Sequence, residues 1–310
     1  MYADFYGFTE HPFNIAPDPR FLYLTPAHTE ALAALNYGIR EKKSFVVLTG
    51  EVGTGKTTLL YHLIDNLAEN VRTAFIFHTH TTFKQLLKSI FLELELPLRD
   101  EDTVLLISRL HHYLIERAVA GETVVLIIDE AQNLSTEVLE DIRLLSNLET
   151  PSAKLLQIVL CGQPELEAKI NTMGLRQLRQ RIEIQRRIGP LSELECWDYV
   201  EHRLKIVGGN AGKLFTPGAM SLLWAHSRRI PRLINMMCDN ALLIGYATSR
   251  KKIDQTIMHE VIRGLDGALS SSTSLAVSAP VLPSSTREKI DTLRKLLSAV
   301  AARRTGEVLR

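Results

Sequence analysis

The chain has 310 residues, a formal charge of +1, and 45% hydrophobic and 23% charged residues, enough sequence for about two soluble domains and a sizeable core. Near neutrality excludes a general attraction to nucleic acid, so any such contact must come from a local patch. Cys161, Cys196 and Cys238 lie far apart with no C-x-x-C pair, and read as reduced packing residues rather than a metal or redox site.

Residues 1–24 are rich in aromatics and prolines, and Pro17-Asp18-Pro19 forbids helix locally, so a fixed extended strap is expected there. It either packs beside a bound base or only covers apolar surface. Thr25-Pro26 reads as an N-cap with proline at the first helical position, opening a helix through Glu30, Leu32, Leu35 and Ile39. Phe45-Val46-Val47-Leu48 is a short apolar run of the kind buried in a parallel sheet. Gly50-Glu51-Val52-Gly53-Thr54-Gly55-Lys56-Thr57 follows and fits G-x-x-x-x-G-K-[ST] at every position, with Thr58 opening a helix. Glycines let backbone N–H groups converge on phosphate oxygens without a Cβ in the way. Lys56 adds a point charge for the β- and γ-phosphates, Thr57 offers its hydroxyl to Mg²⁺, and the helix N-terminus is itself an anion site. Gly50 through Thr58 are therefore the expected nucleotide-binding residues, with ATP and Mg²⁺ as cofactors.

Thr73–His78 reads as a second strand, ending in a polar turn where Thr79 either senses phosphate or only shapes the turn. Residues 83–120 carry helical spacing broken near Pro97. His111 and His112 fall there with no third ligand at metal-binding spacing, and read as surface or satisfied histidines. Val124-Val125-Leu126-Ile127-Ile128 then ends in Asp129-Glu130, the form of a Walker B strand. Asp129 would hold Mg²⁺ together with Thr57, and Glu130 would activate the attacking water. A whole predicted strand separates the phosphate loop from Asp129, the order of the ATPases with an added strand and a catalytic glutamate.

Leu155–Cys161 makes another core strand, and Gln163 at its tip is a sensor candidate, placed to bridge water and γ-phosphate. Arg176, Arg179 and Arg181 lie just before the strand Glu183–Ile188, where a neighbouring subunit's nucleotide comes within reach of an arginine finger. From Pro190 the pattern turns all-helical: Ser192 and Glu195 form a capping box, helices follow Thr216-Pro217 and Pro231-Arg232, and the last ends about Leu265. Residues 267–286 carry no charge and are mostly Ser, Thr, Ala and Pro, a flexible linker. Residues 287–310 put Ile290, Leu293, Leu297 and Val300 on one face with a basic excess, an amphipathic tail. The start lacks the regions of a signal peptide and no run of about 18 apolar residues occurs, so a cytoplasmic protein is expected.

Together these segments resemble an AAA+ ATPase, and more narrowly the general secretion pathway protein A (ExeA) type, related to Mu B-type transposition ATPases. The resemblance rests on F-Y-G-F-x-x-x-P-F from Phe5, Pro17 to Tyr23, His28-Thr29-Glu30-Ala31-Leu32, G-E-V-G-T-G-K-T-T-L-L, I-I-D-E-A-Q-N-L, G-Q-P-E-L and P-R-L-I-N, over about residues 1–265. It implies a P-loop NTPase fold of the AAA+/ASCE kind: a five-stranded parallel sheet with helices on both faces, then a small all-α lid. The expected division is strap 1–24, nucleotide-binding domain 25–189, lid 190–266, linker 267–286 and tail 287–310. The resemblance further implies Gln163 as sensor 1 and Arg232 as sensor 2, and it favours Arg181 as the finger. The family usually has glycines before I-P-R, where this chain has Arg228-Arg229, so the loop holding Arg232 is expected to sit differently. Members of that type often continue into a transmembrane segment and a peptidoglycan-binding domain, whereas here the core is followed by the linker and tail.

The leading expectation is an oligomeric ATPase, ring or filament, that switches assembly of a partner complex, with the partner met through residues 287–310. The alternatives are an ATP-dependent DNA-binding regulator of transposition, marked by salt-dependent DNA retention, and a nucleotide-gated adaptor, marked by negligible turnover.

Overall fold

The computed structural model describes residues 1–14, 18–77, 79–99, 101–150 and 153–272, with the backbone alone for 153 and 266–272. Residues 1–262 form one compact unit and a second begins at Arg263. The tail read at 287–310 lies outside the described residues.

In chain order the first unit contains α1 (Tyr2–Tyr6), α2 (Pro26–Arg40), β1 (Phe45–Gly50), α3 (Lys56–Asp65), β2 (Val71–Ile76), α4 (Phe83–Glu93), α5 (Thr103–Val119), β3 (Thr123–Ile128) and α6 (Thr136–Leu145). A two-residue hairpin pair, β4 (Glu149–Thr150) and β5 (Ala153–Lys154), leads to β6 (Leu156–Gly162), α7 (Pro164–Ile170), α8 (Arg176–Arg179) and β7 (Ile182–Ile188). The lid helices are α9 (Glu193–Ile206), α10 (Ala211–Leu214), α11 (Pro217–His226), α12 (Pro231–Ala247) and α13 (Gln255–Ser272), the last running into the second unit.

The core sheet is five-stranded in the order β2-β3-β6-β1-β7, and every neighbouring pair is parallel. β1 and β6 are buried at every position, as a parallel sheet covered on both faces requires. Strand periodicity deals their side chains alternately to two cores. Phe45, Val47, Val124, Leu126, Ile128, Ile158 and Leu160 face the core that includes α4, α5 and α6. Val46, Leu48, Val125, Ile127, Val159 and Cys161 face the core that includes α2 and α3. The register pairs Thr49 with Gly162, Gly50 with Ile188 and Ile76 with Ile128. The carboxyl ends of the strands therefore line up at one edge, the usual ligand edge of an open α/β sheet.

The strap is not extended throughout. α1 forms ahead of the prolines, ends on Gly7 in the left-handed conformation at φ 76°, and packs on α12 through Tyr2, whose hydroxyl donates to Asp239. Pro19 opens a 3₁₀ turn capped by the Asp18 side chain, so it starts a helical turn instead of extending the chain. A proline lacks only the N–H that a first turn leaves unpaired anyway. Arg203 of α9 pins the strap by donating to Pro12 O at 2.6 Å and Asn14 O at 3.2 Å while lying over the Phe21 ring at 4.6 Å. Phe13 and Phe21 are buried under this clasp, each worth about 1.5–3 kcal/mol of transfer free energy.

α9 begins on Ser192 with both halves of a capping box made, Glu195 N to Ser192 Oγ at 3.2 Å and Ser192 N to Glu195 Oε2 at 2.7 Å. α13 continues to Ser272, past the expected end near Leu265 and into the stretch read as linker. The chain has no proline between Pro231 and Pro280, so nothing there forces the helix to stop. Among the described residues no helix is long and apolar enough to cross a membrane.

Candidate nucleotide-binding site

The loop Gly50–Gly55 leaves β1 at that ligand edge and ends as the N-cap of α3. Two of its glycines are required by shape. Gly53 has φ 83° and sits so near the lid that a Cβ there would stand 2.5 Å from the Arg232 Cβ; Gly55 has φ 94°. Both conformations are open to glycine and strained for other residues. Lys56 is buried, and its ammonium donates to Gly50 O at 2.8 Å and Glu51 O at 3.0 Å.

β3 adjoins β6, and β6 adjoins β1, so the end of β3 comes beside the loop even though the two are distant in sequence. Thr57 Oγ1 donates to Asp129 Oδ2 at 2.6 Å, and Glu130 N donates to Asp129 Oδ1 at 2.9 Å. A hydroxyl and a carboxylate oxygen at this spacing fit a Mg²⁺ ion, which takes few protein ligands and keeps waters and phosphate oxygens for the rest. Among the described residues no cluster of three or more His, Cys, Asp or Glu could hold a metal alone.

Glu130 has φ 52° and ψ 37°, a left-handed conformation rare outside glycine and characteristic of functional sites. Thr79 braces it by donating to its carbonyl at 3.0 Å. Thr79 is buried and also accepts from Asn133 Nδ2 at 3.4 Å, so it shapes the turn. The Glu130 carboxylate accepts at Oε2 from Gln132 Nε2 at 2.5 Å and from Gln163 Nε2 at 3.0 Å. Burial pushes its pKa up, but the bonds from Gln163 and Gln132 and the Lys56 charge outweigh this and hold it below the ordinary glutamate value. It stands as a carboxylate.

Gln132 was assigned no role from sequence. It closes a ring by accepting from Gln163 N at 3.1 Å, and Lys169 fixes its backbone by donating to Gln132 O at 2.6 Å. Its place two residues past Glu130 was the one signal, and it becomes informative only when β6 lies alongside β3.

A cleft of about 360 Å³ runs over the phosphate loop, lined from the strap by Asp18 and Tyr23, from the core by Lys56 and Glu130, and from the lid by Arg203 and Arg232. Arg232 also donates its backbone N–H to Gly53 O at 3.2 Å. Arg176, Arg179 and Arg181 are not among the residues lining this chain's own cleft. Arg181 is half-buried and donates to Ser146 Oγ at 2.7 Å, while Arg176 and Arg179 are exposed. His112 lies on the surface beside Glu116 at 3.3 Å. All three cysteines are buried and free.

Before Arg232, Arg228 and Arg229 take φ 51° and 62°, the conformation a glycine adopts without strain. Left-handed backbone costs a side-chain-bearing residue about 1–2 kcal/mol, and glycine gives back part of that in unfolded-state entropy. Arg228→Gly is therefore expected to stabilise the chain by about 0.5–1 kcal/mol, raising the melting temperature by about 1–4 °C. A lower melting temperature would show that the Arg228 side chain contributes more than its backbone costs.

Residues 39–170 match the family described as AAA domain. Over 254 residues the chain is 44% identical to general secretion pathway protein A of Aeromonas hydrophila, a match covering 82% of this chain and 46% of that protein. The chain thus spans about half the length of this relative. Among solved structures, the fold is similar to the Aeropyrum pernix ORC2 protein in its ADPNP–ADP complexes, with TM-score 0.63 and 15% identity over 83% of this chain and 72% of that one. It is also similar to Cdc6p from Pyrobaculum aerophilum (TM-score 0.63, 18% identity, 79% and 68%). The Walker-type ATPase of Pyrococcus abyssi gives TM-score 0.56 at 15% identity, covering 85% and 78%. At such identities these likenesses bear on the fold alone, which is that of a P-loop NTPase.

Proposed function

The chain belongs to the AAA+ ATPases of the general secretion pathway protein A type, and from that premise we propose that it binds Mg²⁺–ATP and hydrolyses it in an oligomer to switch assembly of a partner complex in secretion or envelope machinery. The observation that carries this reading is the Thr57–Asp129 contact with the Glu130 carboxylate in the same cleft as the phosphate loop. A metal-holding pair and a base thus stand together beside the loop that would hold the phosphates.

In the proposed reaction Glu130 takes a proton from water as the water oxygen bonds to the γ-phosphorus. The bond to the β–γ bridging oxygen breaks, and ADP and phosphate leave. Gln163 orients the Glu130 carboxylate and the water, Lys56 holds the β- and γ-phosphates, and Arg232 brings lid charge to them. Mg²⁺ between Thr57 and Asp129 would supply charge neutralisation on the phosphate oxygens. Arg181, favoured as the finger by the family resemblance, acts in trans on a neighbouring subunit's ATP.

The trans assignment predicts a mixing result. Arg181→Ala and Lys56→Ala proteins are each expected to be inactive alone and to regain turnover when combined, because some mixed interfaces have one intact nucleotide site and one intact arginine. No gain on mixing contradicts the assignment.

The partner contact is assigned to residues 287–310, whose sequence joins an apolar stripe to a basic excess, a pattern suited to a protein groove. Affinity capture should recover a partner with Glu130→Gln protein held in ATP, and recover less with Lys56→Ala protein or after deletion of 273–310. Equal recovery from all of them would contradict an ATP-gated partner contact.

A further inference from the structure

We infer that His28 is a positioning residue for phosphate binding: its neutral imidazole holds the Thr54 carbonyl and so aims the Gly55 N–H into the phosphate loop. The inference rests on the ATP-binding reading of the cleft and assigns a role to a histidine that the reaction itself does not use.

His28 lies in the first turn of α2, buried at 3% exposure. Its backbone N–H donates to the N-cap oxygen, Thr25 Oγ1, at 3.2 Å, and its ring Nδ1 lies 2.6 Å from that same oxygen. Thr54 O can only accept, so Nε2 must carry a proton; in the neutral ring Nδ1 is then the unprotonated nitrogen and takes the Thr25 hydroxyl proton. Nε2 therefore carries the ring proton and donates it to Thr54 O at 2.9 Å. In the neutral form both ring nitrogens are satisfied, and burial favours that form by lowering the pKa.

The consequence lies one bond further on. The Thr54–Gly55 peptide is trans, since no cis peptide bond occurs among the described residues, and in a trans peptide the C=O and the N–H point in opposite directions. Drawing the Thr54 carbonyl toward the imidazole turns the Gly55 N–H away from it, toward the side where the phosphates belong. The contact is close, because a Cβ on Gly55 would stand 3.4 Å from His28 Nε2. Thr54 is held in addition by its hydroxyl, which donates to Glu51 O at 2.9 Å. His28 thus links the start of α2, directly after the strap, to one phosphate-binding amide.

Two substitutions separate the ring nitrogens. Glutamine places an amide N–H near the Nε2 position, whereas asparagine reaches only as far as Nδ1. In the full chain, His28→Gln is expected to bind Mg²⁺–ATP within about twofold of wild type. His28→Asn is expected to bind about five- to tenfold more weakly, the loss of one hydrogen bond that orders a binding group, while melting without nucleotide at a temperature close to that of His28→Gln. Equal ATP affinities in the two variants, or weaker binding in His28→Gln, would overturn the inference. Should His28→Asn fail to fold, ¹⁵N chemical shifts of the wild-type ring decide the matter: the Nε2–H tautomer supports it and the Nδ1–H tautomer overturns it. Wild-type protein that binds no ATP would instead refute the reading of the cleft, a separate outcome.

Discussion

Turnover in a Glu130→Gln variant is expected to fall by about 10²- to 10⁴-fold, the range that a positioned general base contributes, while ATP binding stays close to wild type. The two effects separate because the Glu130 side chain bonds to Gln132 and Gln163 and to none of the groups assigned to hold phosphate or metal, while its backbone N–H bond to Asp129 survives the substitution. Lys56 keeps its contacts to Gly50 O and Glu51 O, and Thr57 keeps its bond to Asp129. A glutamine oxygen can still accept from Gln132 and Gln163, so the ring around residue 130 is retained. What is lost is the carboxylate that those amides and the Lys56 charge hold below its ordinary pKa. Single-turnover hydrolysis and equilibrium ATP binding, measured on the same preparations, check both halves. Turnover equal to wild type removes Glu130 from the reaction.

Lys56→Ala is expected to act at the other step, weakening ATP binding by on the order of 10²-fold or more. A charged donor to phosphate is worth about 1.5–3 kcal/mol per hydrogen bond, and the Lys56 ammonium is placed to make more than one. The same substitution releases the Gly50 and Glu51 carbonyls that the ammonium now ties together, so the loop also loses an internal brace. Calorimetric titration with Mg²⁺–ATP measures the loss. Unchanged affinity would mean that nucleotide binds elsewhere than on this loop.

Much of this arrangement was legible because a parallel sheet turns sequence order into position. Each apolar run ends at the same edge, so the residues just past the runs, Gly50, Asp129 and Gln163, are brought together by topology once the strands are recognised. β3 and β6 show it well: the strands are buried nearly throughout and read as continuous apolar segments. What escaped depends on pairings between distant elements. Gln132 gains its role only when β6 delivers Gln163 beside it. Arg203 reaches back from α9 to Pro12 and Asn14, and no local spacing announces a contact of that range. α1 was hidden because its few helical residues precede a proline-rich segment, and the reading of that segment was carried over to them. The left-handed backbone at Arg228 and Arg229 runs against local propensity, and the bonds that accompany it, Arg229 N to Ser227 Oγ, Ile230 N to Ser227 O and Leu191 N to Arg229 O, include one to a distant residue. β4 and β5 are too short, at two residues each, for a period-2 pattern to show.

On the proposed function the cleft hydrolyses ATP and each subunit completes its neighbour's site. Phosphate release from Mg²⁺–ATP, measured per subunit across a range of protein concentrations, tests both together. Release per subunit is expected to rise as the protein associates and to fall by about 10²- to 10⁴-fold in Glu130→Gln at every concentration. Bound ATP recovered intact throughout would contradict hydrolysis, and a per-subunit rate independent of concentration across the association range would contradict the shared site.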